Sequence, residues 1–182
     1  MENQIRAVYT EKSIRVYQAF NKVIAQEAIP KGTFGENFKL DRMTWIKPSF
    51  LWMMYRCGWG TKENQEYILA IDVKRDAFDY LVKNAILSSY HESNMSYSEW
   101  KSLVQSSDIR MQWDPERDIH GNPLEHRSLQ LGIRGEMVKK YVADWIENIT
   151  DITDYVEEIR MKISMQKDVL GLLPNERVYH LR

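Results

Sequence analysis

The apolar residues of this chain change period several times along its length, and that alternation constrains the fold more than any single motif does. Ile5 to Tyr9 and Ile14 to Phe20 are β-branched and aromatic, with Thr10-Glu11-Lys12-Ser13 between them as a hairpin loop. Asn21 then caps a helix that runs to Ile29 and is ended by Pro30 and Gly32. Pro48 fits the first turn of a second helix through Cys57, nearly all apolar and therefore buried. Tyr67 to Val73 reads as an interior strand, followed by a helix from Asp76 to about Leu87. Beyond the polar stretch Ser88 to Asn94, Ser96 and Glu99 form a capping box that opens a short helix. Ile109 to Trp113 and Arg127 to Ile133 are further strands; the thirteen residues between them are too polar for a core and read as a functional loop. Gly135 to Ile146 is an amphipathic helix with Glu136 placed to pair with Lys140. Ile152, Val156, Ile159 and Ile163 mark one more apolar stripe, and the chain ends in an extended tail.

Composition narrows the class further. A chain of 182 residues, 43% hydrophobic and 12% aromatic, can bury one core, and nothing in it demands a second domain. We expect one domain with its core over about 5–166 and a tail over 167–182. Twenty-five basic against twenty-six acidic residues exclude a duplex-binding protein that relies on a large positive field. The charge is nonetheless segregated: Arg42 to Lys62 holds four cations and no acid, whereas Asp144 to Glu158 holds six acids and no cation. Cys57 is the only cysteine, which excludes an internal disulfide and a multi-cysteine zinc site and favours a reducing compartment. No stretch has the length of a signal peptide core, or the roughly 20 apolar residues that span a bilayer. The expectation is a cytoplasmic protein without membrane contact. Walker, GxGxxG, GxSxG, HExxH and EF-hand patterns are missing, and His91, His120, His126 and His180 are too scattered to suggest a metal site.

Two segments carry chemistry. Asp41 to Trp59 packs three tryptophans, three methionines and three cations into nineteen residues, a pattern suited to an anionic, ring-bearing ligand. In its helix Ser49, Trp52 and Arg56 fall on one face, so a guanidinium sits on an otherwise apolar helix and must find an anion. Arg56 or Lys47 could receive a phosphate or carboxylate while Trp45 or Trp52 stacks on a ring. Arg56 could equally serve the helix dipole and pair with a core carboxylate, with Trp52 as plain packing. The second segment, Gln112-Trp113-Asp114-Pro115-Glu116-Arg117-Asp118, clusters carboxylates at a strand exit, with Glu116 the foremost acid or base. A solvated turn neutralised by Arg117 accounts for the same composition. Gln112 and Gln130, within strands, could face a cleft and bind polar substrate groups, or face solvent.

IRVYQAF, DRMTWIKPSFLWMMYR, YILAIDV, QWDPERD and RSLQLGIRGE occur in this order. They closely resemble a family of small bacterial and fungal proteins known only as a domain of unknown function, number forty-two ninety-one, and the resemblance runs from Ile5 to about Pro174. It implies a stand-alone cytosolic domain and no activity. The order of elements is also similar, more distantly, to ADP-ribosyltransferases, in particular those acting on nucleic acids. That likeness implies a split sheet gripping NAD, with Arg15, Ser49 or Tyr55, and Glu116 in the places of the family's catalytic residues. In that arrangement Glu116 stabilises oxocarbenium charge, Arg15 or Arg42 holds the diphosphate, and Tyr17 or Trp45 stacks on nicotinamide. Gln18 and Lys47 complete the cofactor set, and Arg117 and Arg127 join Trp52, Arg56, Gln112, Trp113, Asp114 and Gln130 on the acceptor side. The full expectation is an α+β domain with a central, split, mainly antiparallel sheet and flanking helices, transferring ADP-ribose from NAD, with RNA or single-stranded DNA as a candidate acceptor. Two alternatives stand beside it. One is a nucleic-acid-binding module using the basic aromatic patch; the other is a partner-binding domain that docks a basic protein on its acidic segment.

Overall fold

The computed structural model describes residues 1–182. In chain order its elements are β1 (Glu2–Asn3), β2 (Arg6–Ala7), β3 (Ser13–Phe20), α1 (Lys22–Lys31), β4 (Thr44–Ile46), α2 (Phe50–Cys57), β5 (Tyr67–Lys74) and α3 (Arg75–Asn84). There follow β6 (Ile86–Leu87), α4 (Tyr97–Ser106), β7 (Ile109–Arg117), β8 (Pro123–Ile133), α5 (Gly135–Lys140), β9 (Ile146–Asp151), α6 (Thr153–Ser164) and β10 (Arg177–Val178). The fold is a mixed α and β single domain.

Two sheets form its centre. In the first, β7 and β8 make a long antiparallel hairpin, with β6 parallel to β7, and with β1 and β4 sharing the other edge of β8. In the second, β5 lies between β3 and β9, antiparallel to both. The sheets meet where the Tyr17 amide donates to the Lys47 carbonyl at 2.8 Å, carrying the pairing from β3 to the residue after β4. One buried cluster, including Ile14, Val16, Ile71, Phe78, Leu131 and Tyr141, fills the space between the sheets and α3. A smaller one, including Tyr17, Phe50, Met54, Ile68 and Val156, lies beneath α2 and α6.

Local signals explain most element ends. The Asn21 side chain accepts from the Ile24 amide at the start of α1, and Gly32 closes that helix at φ 71°, a left-handed conformation that glycine adopts without strain. Ser96 and Glu99 form the expected capping box. Val156 and Ile159 of the last apolar stripe are buried in α6.

Five expectations need correction. Pro48 lies outside α2, because the Ser49 hydroxyl takes the capping position and accepts from the Trp52 amide. The helix after β5 stops at Asn84, since Ile86 and Leu87 pair with Arg110 and Met111 as a strand. The supposed thirteen-residue loop is mostly hairpin: β7 continues to Arg117 and β8 starts at Pro123. Gln112 and Asp114 share the face of β7 that lines the cleft, and Pro115 and Glu116 sit at a register shift. The helix from Gly135 gives way to a π-helical turn at Tyr141–Trp145 and then to β9, and Glu136 pairs with Lys139 rather than Lys140. Finally, the tail is part of the body: β10 pairs with β2, and Val169 and Tyr179 are buried. No helix is long and apolar enough to cross a membrane.

Candidate functional site

The two segments singled out in the sequence meet. A cavity of about 470 Å³ is lined by Trp45, Lys47, Trp52, Tyr55, Arg56, Gln112, Asp114 and Gln130, every one of them an expected site residue. Strand β4 and the residue after it supply Trp45 and Lys47; α2, packed across the sheet, supplies Trp52, Tyr55 and Arg56; the β7–β8 hairpin supplies the rest. Size and lining suit a small organic ligand.

Lys47 dominates the electrostatics. It is 5% exposed, has no carboxylate partner and lies at the seam of the two sheets. Burial pushes its ammonium down to about 8, helped by the charge of Arg56, while Asp114 pulls weakly the other way. An unpaired buried cation is unfavourable for the folded state and favourable for an incoming anion.

Facing it across the hairpin is an immobilised carboxylate. Gln112 and Gln130 are cross-strand neighbours; the first donates to one Asp114 oxygen at 2.9 Å and the second to the other at 2.7 Å. Both glutamines therefore face the cleft, not solvent. Ser88 in turn donates to Gln112 at 3.3 Å, so the amide is itself oriented.

The aromatic wall is built on α2. Trp52 and Tyr55 stack at 5.3 Å between centroids, and the Arg117 guanidinium lies 4.1 Å from the centre of the Tyr55 ring. Trp52 Nε1 is buried without an acceptor. Trp45 is fixed differently. It pairs with Gly132 on β8, and a Cβ there would come within 2.9 Å of its indole. Gly132 is thus a shaping residue that sequence reasoning missed, because its place opposite Trp45 is set by strand register.

A second cavity, of about 180 Å³, adjoins the first and shares Trp45, Lys47 and Arg56 with it. Gln18 lines this second space but is held from within, donating to Thr44 at 2.7 Å and accepting from the buried Tyr141 hydroxyl at 2.9 Å.

The other expected residues lie outside the cleft. Arg15 pairs with both oxygens of Asp72, its neighbour across β3 and β5, at 2.9 and 3.0 Å. Ser49 is the buried cap of α2, and Tyr17 is buried against Phe50. Arg42 borders another cavity, Arg127 is paired with Glu92 at 2.5 Å, and Trp113 packs against the main core. Glu116 is a buried strand residue, not a loop residue, and its carboxylate accepts from the Arg117 amide at 2.9 Å. Arg56 is exposed at the cavity rim, so the expected buried guanidinium is instead the Lys47 ammonium.

No curated protein matches the chain. The sequence model of one family, described as a domain of unknown function (DUF4291), matches residues 4–179, nearly the whole chain, and the protein belongs to that family.

Proposed function

We propose that the protein binds a nucleotide in this cleft, that the nucleotide is NAD, and that the reaction is cleavage of the nicotinamide–ribose bond with transfer of ADP-ribose. The observation that carries the reading is the Lys47 ammonium, buried and unpaired in the same cavity as stacked aromatic rings and a fixed carboxylate. Lys47 and Arg56 receive the diphosphate, and Trp45 or the Trp52–Tyr55 pair stacks on a ring.

The carboxylate in position to act is Asp114. Loss of nicotinamide takes the bonding electron pair with the leaving group and leaves positive charge on the ribose carbon and ring oxygen. A carboxylate already oriented by two amides stabilises that charge without reorganising. An acceptor hydroxyl then attacks the same carbon and gives up its proton to the Asp114 carboxylate. Glu116 fits the role less well, because it lies outside the cavity and is satisfied by backbone.

Nicotinamide release from NAD by the purified protein tests the proposal. Asp114→Asn should lower release by about a hundredfold or more while Glu116→Gln leaves most of it. Absence of release, together with absence of NAD binding by the folded protein, would refute it.

A further inference from the structure

The cleft does not end at Lys47. Beyond the 180 Å³ cavity the surface opens into a third space of about 700 Å³, and those two share Phe20, Met43, Thr44 and Gln65. Through their shared residues the three adjoin in series along residues 39–47, and together they are called the groove. Its cations, in order, are Lys39, Arg42, Lys47 and Arg56, and its acids are Glu63 at one end and Asp114 at the other.

None of these four cations has an acidic partner. Elsewhere some basic side chains are ion-paired, Arg15, Arg127 and Arg182 among them, and others are not. In a chain of net charge −1 the groove holds these four unpaired cations against two acids, with aromatic rings at one end. A line of cations suits a polymer of regularly spaced anions, and flat rings beside it suit bases more than acidic side chains. Bases reach such rings only when they are not stacked in a duplex, so a single strand is favoured.

We propose that this groove binds a single-stranded nucleic acid and delivers it to the cleft as the acceptor. Lys39 and Arg42 bind backbone phosphates some distance from the reacting end, and the nucleotide nearest Lys47 meets the site of transfer. As an acceptor site this rests on the nucleotide reading of the cleft; as a binding site it stands on the groove alone.

The test is fluorescence anisotropy of the full-length protein with end-labelled single-stranded RNA and DNA 12-mers of one sequence and with their duplex. Lys39→Glu/Arg42→Glu is the groove variant; both residues are exposed, so the fold should be unaffected. NAD binding is followed in parallel by tryptophan fluorescence. The expected result is binding of one or both single strands in preference to duplex, weakened about tenfold or more in the variant, with a salt dependence reduced by about 1.4 logarithmic units per decade. NAD affinity of the variant should stay within about twofold, and the stronger of the two strands identifies the acceptor. Equal strand binding by variant and parent, no strand binding, or equal competition by poly-glutamate would overturn the groove assignment while leaving the cleft reading intact. Groove-dependent strand binding without NAD binding would overturn the cleft reading and its acceptor role, leaving the groove as a binding site.

Discussion

A Glu176 oxygen accepts a 2.7 Å hydrogen bond from the Phe50 amide, so the tail of the chain caps the first turn of the helix that carries Trp52, Tyr55 and Arg56. Burial, and then the neighbouring Glu116 carboxylate, push the Glu176 carboxyl up to about 8, against the Phe50 hydrogen bond and the charge of Arg6. Tyr17 and Tyr155 complete its surroundings.

Stability should therefore pass through a minimum near pH 8. Between the ordinary carboxylate value of 4.5 and about 8 the folded state holds a proton on Glu176 that the unfolded state releases, so this group makes stability fall as pH rises. Between about 8 and 10.5 the unfolded state holds a proton on Lys47 that the folded state has lost, so stability recovers. Melting temperatures across this range check it: Glu176→Gln should flatten the fall and Lys47→Met the recovery. Each kcal/mol corresponds to about 2–4 °C in a chain of this size.

Lys47→Met should raise the melting temperature at pH 7 by several degrees, since it replaces an unpaired buried cation with an isosteric apolar side chain. The same variant should lose detectable nucleotide binding. A destabilised variant, or one that binds like the parent, would show that Lys47 serves the core and not a ligand.

Ligand affinity should depend on pH with one sign only. An anion needs the charged amine, so affinity should be level below about pH 8 and fall roughly tenfold per unit above it. Calorimetry near pH 8 should register proton uptake on binding.

Gln18→Leu should cost about 1–3 kcal/mol, because it strands the Tyr141 hydroxyl in the core. Gly132→Ala should act on the ligand more than on the fold, pressing on Trp45 and Met43 at the wall of the cleft. Urea titration and nucleotide binding of the two variants separate these effects.

The amino-acid sequence exposed the site better than it exposed the strands around it. Trp45, Lys47, Trp52 and Arg56 were legible because cations without acids among aromatic residues are hard to reconcile with either core or plain surface. Asp114 is legible as a carboxylate, but the sequence does not show which of Asp114 and Glu116 lines the cleft. A strand with one polar face over a cleft has the composition of a loop, and only pairing with β8 tells them apart. The role of Glu176 was invisible, because it depends on a contact between positions 50 and 176 that no local pattern encodes. Arg15 illustrates the converse: its partner, Asp72, is set by strand register, which sequence spacing does not reveal.

The seam between the sheets has a mechanical consequence. Besides the Tyr17 to Lys47 backbone bond, Gln18 crosses it with bonds to Thr44 and the Trp45 carbonyl. Lys47, the residue we propose as the anion site, is thus also a stitch between two halves of the molecule. Any breathing of one sheet against the other opens the cleft, and any occupant must tighten the stitch. Slowed hydrogen exchange in β5, which lines no part of the cleft, would be the signature of that coupling.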